Sequence, residues 1–242
     1  MFRHQGKART YSHNLRLASV LSGVAGLVNI TGVLGVGTLT TNVTGHFAYF
    51  SEQLFLENYS ASAVYLSYII FFLLGSFVSG LLVEWGTRSK PWNAYMIPVL
   101  IEILILISIS LSPARTKDLQ LAHQIIIPAG LLFAMGLQNA LVTRVSQSVV
   151  RTTHLTGLFT DLGIELSQLF FYRAQKDRRT LRRSLFLKLM IIGFFFLGGL
   201  IGGFSYRHFG LKTLLLPAAL LLFALWYDRL LFRYYSLRRK FR

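Results

Sequence analysis

The chain has 242 residues, of which 53% are hydrophobic and only 14% charged, with 25 Lys and Arg, 9 Asp and Glu and no cysteine. Soluble domains carry nearer a quarter charged residues, which excludes an ordinary water-soluble fold, and the missing cysteines exclude disulfides, thiolate catalysis and cysteine metal sites. The net charge of +16 does not point to nucleic acid, because the basic residues cluster beside apolar runs and leave no soluble domain to bind it.

In chain order, residues 1–14 form a basic N-terminus, with Arg3, Lys7 and Arg9, expected on the cytoplasmic side by the positive-inside rule. An apolar run at 17–39 follows. It lacks a small-x-small cleavage site and reads as a retained first helix, not a signal peptide. It carries Gly26-Leu27-Val28-Asn29, and TTNVTGHF at 40–47 comes next, with Thr41, Thr44, Gly45 and His46. The loop SEQLFLENYSAS has acids and no Lys or Arg. Apolar runs at 63–85 and 93–112 complete the first half, the second of them holding Pro98 and Glu102.

The second half repeats this order. A run at 121–142 carries Gly136-Leu137-Gln138-Asn139, and TTHLTGLF at 152–159 supplies Thr153, Thr156 and Gly157. Asp161, Glu165 and Gln168 follow on one helical face, then the basic loop at 172–183, runs at 184–206 and 210–228, and the basic tail at 229–242. FFLLGSFVSG at 71–80 matches FFFLGGLIGG at 194–203, and Pro98 matches Pro217.

Each run suffices to cross a hydrocarbon core of about 30 Å at roughly 20 residues per span. The expected fold is an all-α polytopic membrane protein, with about six transmembrane helices and two broken or re-entrant Thr-Gly segments, in two internal repeats at 15–112 and 113–228. Re-entrant segments leave three crossings per half, which inverts the second half; spanning segments give eight crossings in parallel halves. The opposite charge of the loops after the two Thr-Gly segments favours inversion. Both termini are then cytoplasmic.

A threonine hydroxyl can cap free backbone N–H groups and a glycine eases a turn. In a membrane, such a break is tolerated where it is buried in protein or lines a wet cavity, and broken helices of inverted repeats form substrate sites in transporters. The candidate solute or ion pathway is therefore Asn29, Thr41, Thr44, Gly45, Glu102, Gln138, Asn139, Thr153, Thr156, Gly157 and Asp161. Glu102 stands out because a charge in mid-membrane costs about 2.5–3.5 kcal/mol on insertion scales. The competing reading makes the Thr and Gly residues packing contacts between helices. Glu84 and Lys188 read as snorkelling side chains. His46, His154 and Asp161 lack metal-ligand spacing and no nucleophile turn is present, so neither a metal, a cofactor nor an enzyme is expected.

MGLQNALVTR at 135–144 and RTTHLTGLFTDLG at 151–163 resemble the second conserved block of the YoaK-like bacterial inner-membrane proteins, a family classed as a domain of unknown function. LASVLSGVAGLVNITGVLGVGTLTTNVTGHF at 17–47 resembles the first block, and the likeness runs from about residue 15 to 228. Where that family usually has an aspartate this chain has Asn29, and where it has an asparagine after Thr-Gly this chain has His46. A proton or cation step carried by that aspartate would be lost or altered here. The resemblance implies a bacterial plasma membrane and no particular substrate or reaction.

The functional expectation is a small-molecule or ion permease with its site between two repeats. The alternative is a non-transporting scaffold or partner-binding subunit whose working surfaces are the basic loop and tail. Expected partners are the lipid bilayer, anionic headgroups at the basic loops, a small solute or ion, and a second copy of the chain.

Overall fold

The computed structural model describes residues 10–89, 94–112, 122–171 and 175–240. Of the basic segments, 1–9, 172–174 and 241–242 lie outside the described residues, as do 113–121 at the start of the second half. The fold is all-helical: α1 (Tyr11–Val36), α2 (Val43–Phe55), α3 (Tyr59–Ser89), α4 (Met96–Ser110), α5 (Ile127–Ser146), α6 (Leu155–Phe171), α7 (Gln175–Phe209) and α8 (Leu215–Lys240). Among the described residues, four stretches are long and apolar enough to cross a membrane: Tyr11–Val36, Tyr59–Arg88, Gln124–Ser146 and Asp177–Asp228. The last is broken between α7 and α8 at Gly210, whose φ of +54° suits a residue without a Cβ. Helix α4 is apolar but shorter. The 13 residues of α2 reach only about 20 Å at 1.5 Å per residue.

Helices α1 and α5 are the centre of the bundle. Their apolar windows are 61% and 67% buried inside the protein, against 22% for α3. The outer helices turn Phe71, Leu73, Phe77 and Trp85 on α3, and Phe196 and Phe204 on α7, outward, as lipid-facing helices require.

Small residues set which helices pair. A Cβ on Gly26 of α1 would fall on the Phe195 carbonyl of α7 and 3.0 Å from the Gly199 nitrogen. A Cβ on Gly136 of α5 would fall on the Phe72 carbonyl of α3 and 3.1 Å from the Ser76 nitrogen. The reverse contacts match as well: Gly198 lies against the Gly23 carbonyl and Gly75 against the Phe133 carbonyl. Without a hydrophobic drive between helices in lipid, such close backbone approach is a main source of association.

The order of contacts gives the helix directions. Along α1 and α7, Tyr11 bonds to Arg183 while Gly35 meets Tyr206, so the two run parallel. Along α3 and α5, Tyr68 bonds to Gln124 and Glu84 to Arg144, again parallel. Helices α1 and α5 cross the other way, since Leu21 takes a bond from Gln138 while Gly32 faces Leu131. The N-terminal end of α1 therefore shares one face of the bundle with the C-terminal ends of α3 and α5.

Candidate functional site

Helix α1 ends at Gly37, which is left-handed at φ +67°, its N–H bonded back to Gly32 and Val33. The chain does not leave the bundle there. Thr40 donates its backbone N–H to Asn29 Oδ1 at 3.1 Å, and Thr41 donates its hydroxyl to the same oxygen at 3.0 Å. Asn29 lies two turns before the end of α1, so the loop dips back along the helix and α2 starts inside the bundle. After α5 the same happens: Thr153 Oγ1 donates to Asn139 Oδ1 at 2.7 Å, two turns before α5 ends. Residues 40–47 and 152–159 also share one burial sequence, with Thr40 and Thr152 fully buried and Thr44 and Thr156 exposed.

The Thr-Gly pairs do not make the turns. Thr44 and Gly45 lie inside the first turn of α2, and the cap is Asn42, whose Oδ1 accepts from Gly45 N at 3.0 Å. A Cβ at 45 would sit 3.0 Å from the Asn42 side chain and crowd the cap. At 157 the His154 ring occupies the equivalent space, 2.7 Å from the position of an added Cβ. Asn42 thus caps the start of α2, while the His154 ring packs against the first turn of α6.

The short helices are anchored differently. Helix α2 packs antiparallel on α3 through His46, which is buried against Tyr65 and Tyr68 and bonded at 2.7 Å to the Leu39 carbonyl. A carbonyl can only accept, so Nε2 carries the hydrogen. Helix α6 packs antiparallel on α7 through an ion pair of Glu165 with Lys188 at 2.6 Å, joined by the Ser184 hydroxyl. Lys188, read as snorkelling, is instead held between two helices. Asp161 points outward. Among the described residues no group of three His, Asp or Glu side chains is placed to hold a metal ion, and α2 and α6 form no packed interface with each other.

Beside Asn139 lies a groove of about 790 Å³ between α3 and α5, lined by Ser76, Ser79, Glu84, Tyr95, Asn139 and Arg144 among others. Ser76 donates to the Gly136 carbonyl at 3.1 Å and marks its inner end. At its mouth Glu84 pairs with Arg144 at 2.7 Å and with Arg88 at 3.3 Å. The Ser79 hydroxyl is buried without a hydrogen-bond partner among the described residues. Aligning FFLLGSFVSG with FFFLGGLIGG sets Ser79 and Gly80 against Gly202 and Gly203 of α7. At that second place the described residues pack more closely. Gly202 lies under Ile30 and Leu27, and Gly35 under Leu211 and Tyr206.

Glu102 on α4 is fully buried, and neither of its carboxyl oxygens has a hydrogen-bond partner among the described residues. Gln138 is fully buried too. Its amide nitrogen donates to the Leu21 carbonyl at 3.0 Å, while its oxygen has no partner among the described residues.

Apolar spanning helices packed through backbone contacts, with polar side chains turned inward to clamp non-helical segments, define an integral helical membrane protein. Within that class the chain belongs to the protein family of unknown function DUF1275, whose model matches residues 17–227. Neither the curated proteins nor the solved structures contain a significant match to it.

Proposed function

We propose that the protein is a permease for a small polar solute, built from two inverted three-helix repeats with a re-entrant Thr-Gly segment in each. The antiparallel crossing of α1 and α5 supports inversion. The paired Asn–Thr clamps and matched glycine contacts support the repeats. Positive-inside placement puts Arg88, Arg144 and the basic loop on the cytoplasmic side, in a bacterial plasma membrane.

The observation that carries the proposal is the difference between two equivalent places. The α3–α5 groove is open and polar as far as Asn139, while at its counterpart between α1 and α7 Ile30 and Leu27 close over Gly202, and Leu211 and Tyr206 over Gly35. An inverted repeat that rocks would exchange these states, and the solute would pass from one side to the other without covalent chemistry. The solute would meet Ser79, Asn139 and the Glu84–Arg144 pair on entry.

Single cysteines in this cysteine-free chain test it. Gly80→Cys fits freely, and Gly203→Cys meets only an ordinary contact with Ile30. An impermeant thiol reagent should label position 80 from the cytoplasmic face and position 203 from the opposite face, each in part. Permanent protection of position 203, with position 80 always labelled, would favour a non-transporting membrane subunit.

A further inference from the structure

We propose that Glu102 is a proton-binding site that opens onto the α3–α5 groove. Its coupling to solute movement rests on the permease reading, whereas the proton site itself does not.

Tyr95 lines the groove and Glu102 stands seven residues further along α4, two turns deeper on the same face. The antiparallel register fixes its depth. Ile109 of α4 meets Gly130 of α5, so two turns back along α4 correspond to two turns forward along α5. Ile105 lies against Gly130 as well, so Glu102 falls beside the Met135–Gln138 turn of α5, the turn that precedes the groove residue Asn139. Glu102 therefore sits behind the inner end of the groove, within about one turn of Gln138, whose side-chain oxygen has no hydrogen-bond partner among the described residues.

A carboxylate without a partner at this depth is costly, while a carboxylic acid needs only one acceptor for its O–H. The Gln138 oxygen is such an acceptor, held in place because the amide nitrogen is fixed on Leu21. The described charged and titratable side chains on the elements around α4 are otherwise placed. Glu84, Arg88 and Arg144 pair at the groove mouth. Tyr68 bonds to Gln124, Lys212 is exposed, and Tyr95 and Asp228 have interactions of their own. Tyr59 and Tyr65 lie toward the opposite end of α3, and Tyr227 lies at the middle of α8, about 38% exposed. None is bonded to Glu102. In the step itself, hydronium reaching the groove gives its proton to a Glu102 oxygen, one O–H bond forms, one breaks and water is left. Release is the reverse, with no electron transfer.

The test is infrared difference spectroscopy on the whole protein in lipid nanodiscs, stepped from acid to alkaline buffer without solute. A protonated-carboxyl band that falls as pH rises is expected, absent in Glu102→Gln, retained but displaced in Glu102→Asp, and displaced in Gln138→Leu. Glu102→Asp keeps the test decisive if Glu102→Gln does not fold. A spectrum unchanged by Glu102→Gln overturns the proposal, as does a Glu102 band insensitive to pH and deuterium exchange. A band that responds to Na⁺ at fixed pH would assign the site to a metal cation instead. Because no solute is used, failure here is distinct from failure of alternating access.

Discussion

Gly136→Ala isolates the close approach of α3 and α5. The new methyl would stand 3.0 Å from the Phe72 carbonyl carbon and 3.1 Å from the Ser76 nitrogen, where ordinary contacts begin at 3.4 Å. Both are backbone atoms and cannot rotate away, so the helices must part. Overpacking of this kind costs about 1–3 kcal/mol. Parting also weakens the Ser76–Gly136 bond, worth about 0.6 kcal/mol between membrane helices. Alanine returns up to about 1 kcal/mol of helix propensity. The net expectation is a loss of about 1–2.5 kcal/mol. Reversible unfolding by SDS in mixed micelles, followed by tryptophan fluorescence, reads it directly. Gly193→Ala is the control, since an added Cβ at that position on α7 meets open space; it should be neutral or stabilising. If Gly136→Ala is as stable as Gly193→Ala, close backbone packing does not hold the bundle. Gly26→Ala, against Phe195 and Gly199, should repeat the loss.

Two further substitutions probe the clamps and the ion pair. Asn29→Ala removes the acceptor of the Thr40 N–H and should speed amide exchange at Thr40 by roughly fivefold, the worth of a bond of about 1 kcal/mol. Asn139→Ala should barely change exchange in 149–154, because its recorded donor is the Thr153 hydroxyl. Equal acceleration of both loops, read by hydrogen-exchange mass spectrometry, would contradict the assignment. Lys188→Ala leaves Glu165 with Ser184 alone and should destabilise toward the low end of about 3–5 kcal/mol, since the pair is mostly but not fully buried. Adding Glu165→Gln should recover much of that loss, whereas strict additivity in the double-mutant cycle would show that the pair is not coupled.

Much of the layout is legible in the sequence because lipid imposes simple rules. Apolar runs become helices, and Glu102 is buried in mid-run as its neighbours require. Asn29 and Asn139 stand out because the same Gly-Leu-x-Asn phrase precedes both Thr-Thr pairs, and the structure joins each asparagine to its threonine. The caps are harder to see. Asn42 caps α2, whereas the equivalent space beside Gly157 is filled by the His154 ring, so the two places differ in residue type and the repeated phrase drew attention to Thr-Gly instead. Tertiary pairing is beyond the pattern. Glu165 and Lys188 meet only through the register of the α6–α7 hairpin, and Glu84 meets Arg144 only because α3 lies parallel to α5. Neither follows from spacing along one helix.

The exchanged pairing has a cost in time. The first helix finds its close-packed partner only in the last third of the chain, with Tyr11 and Arg183 172 positions apart. At a synthesis rate of about 5–20 residues per second, that partner arrives on the order of ten to thirty seconds later. Through that interval the Gly23 and Gly26 face of α1 has only lipid, or an insertion chaperone, to lie against. A chain cut after α4 would strand α1 and α3 together, so neither half is a folding unit alone, although two co-expressed halves would each carry the other's missing helix.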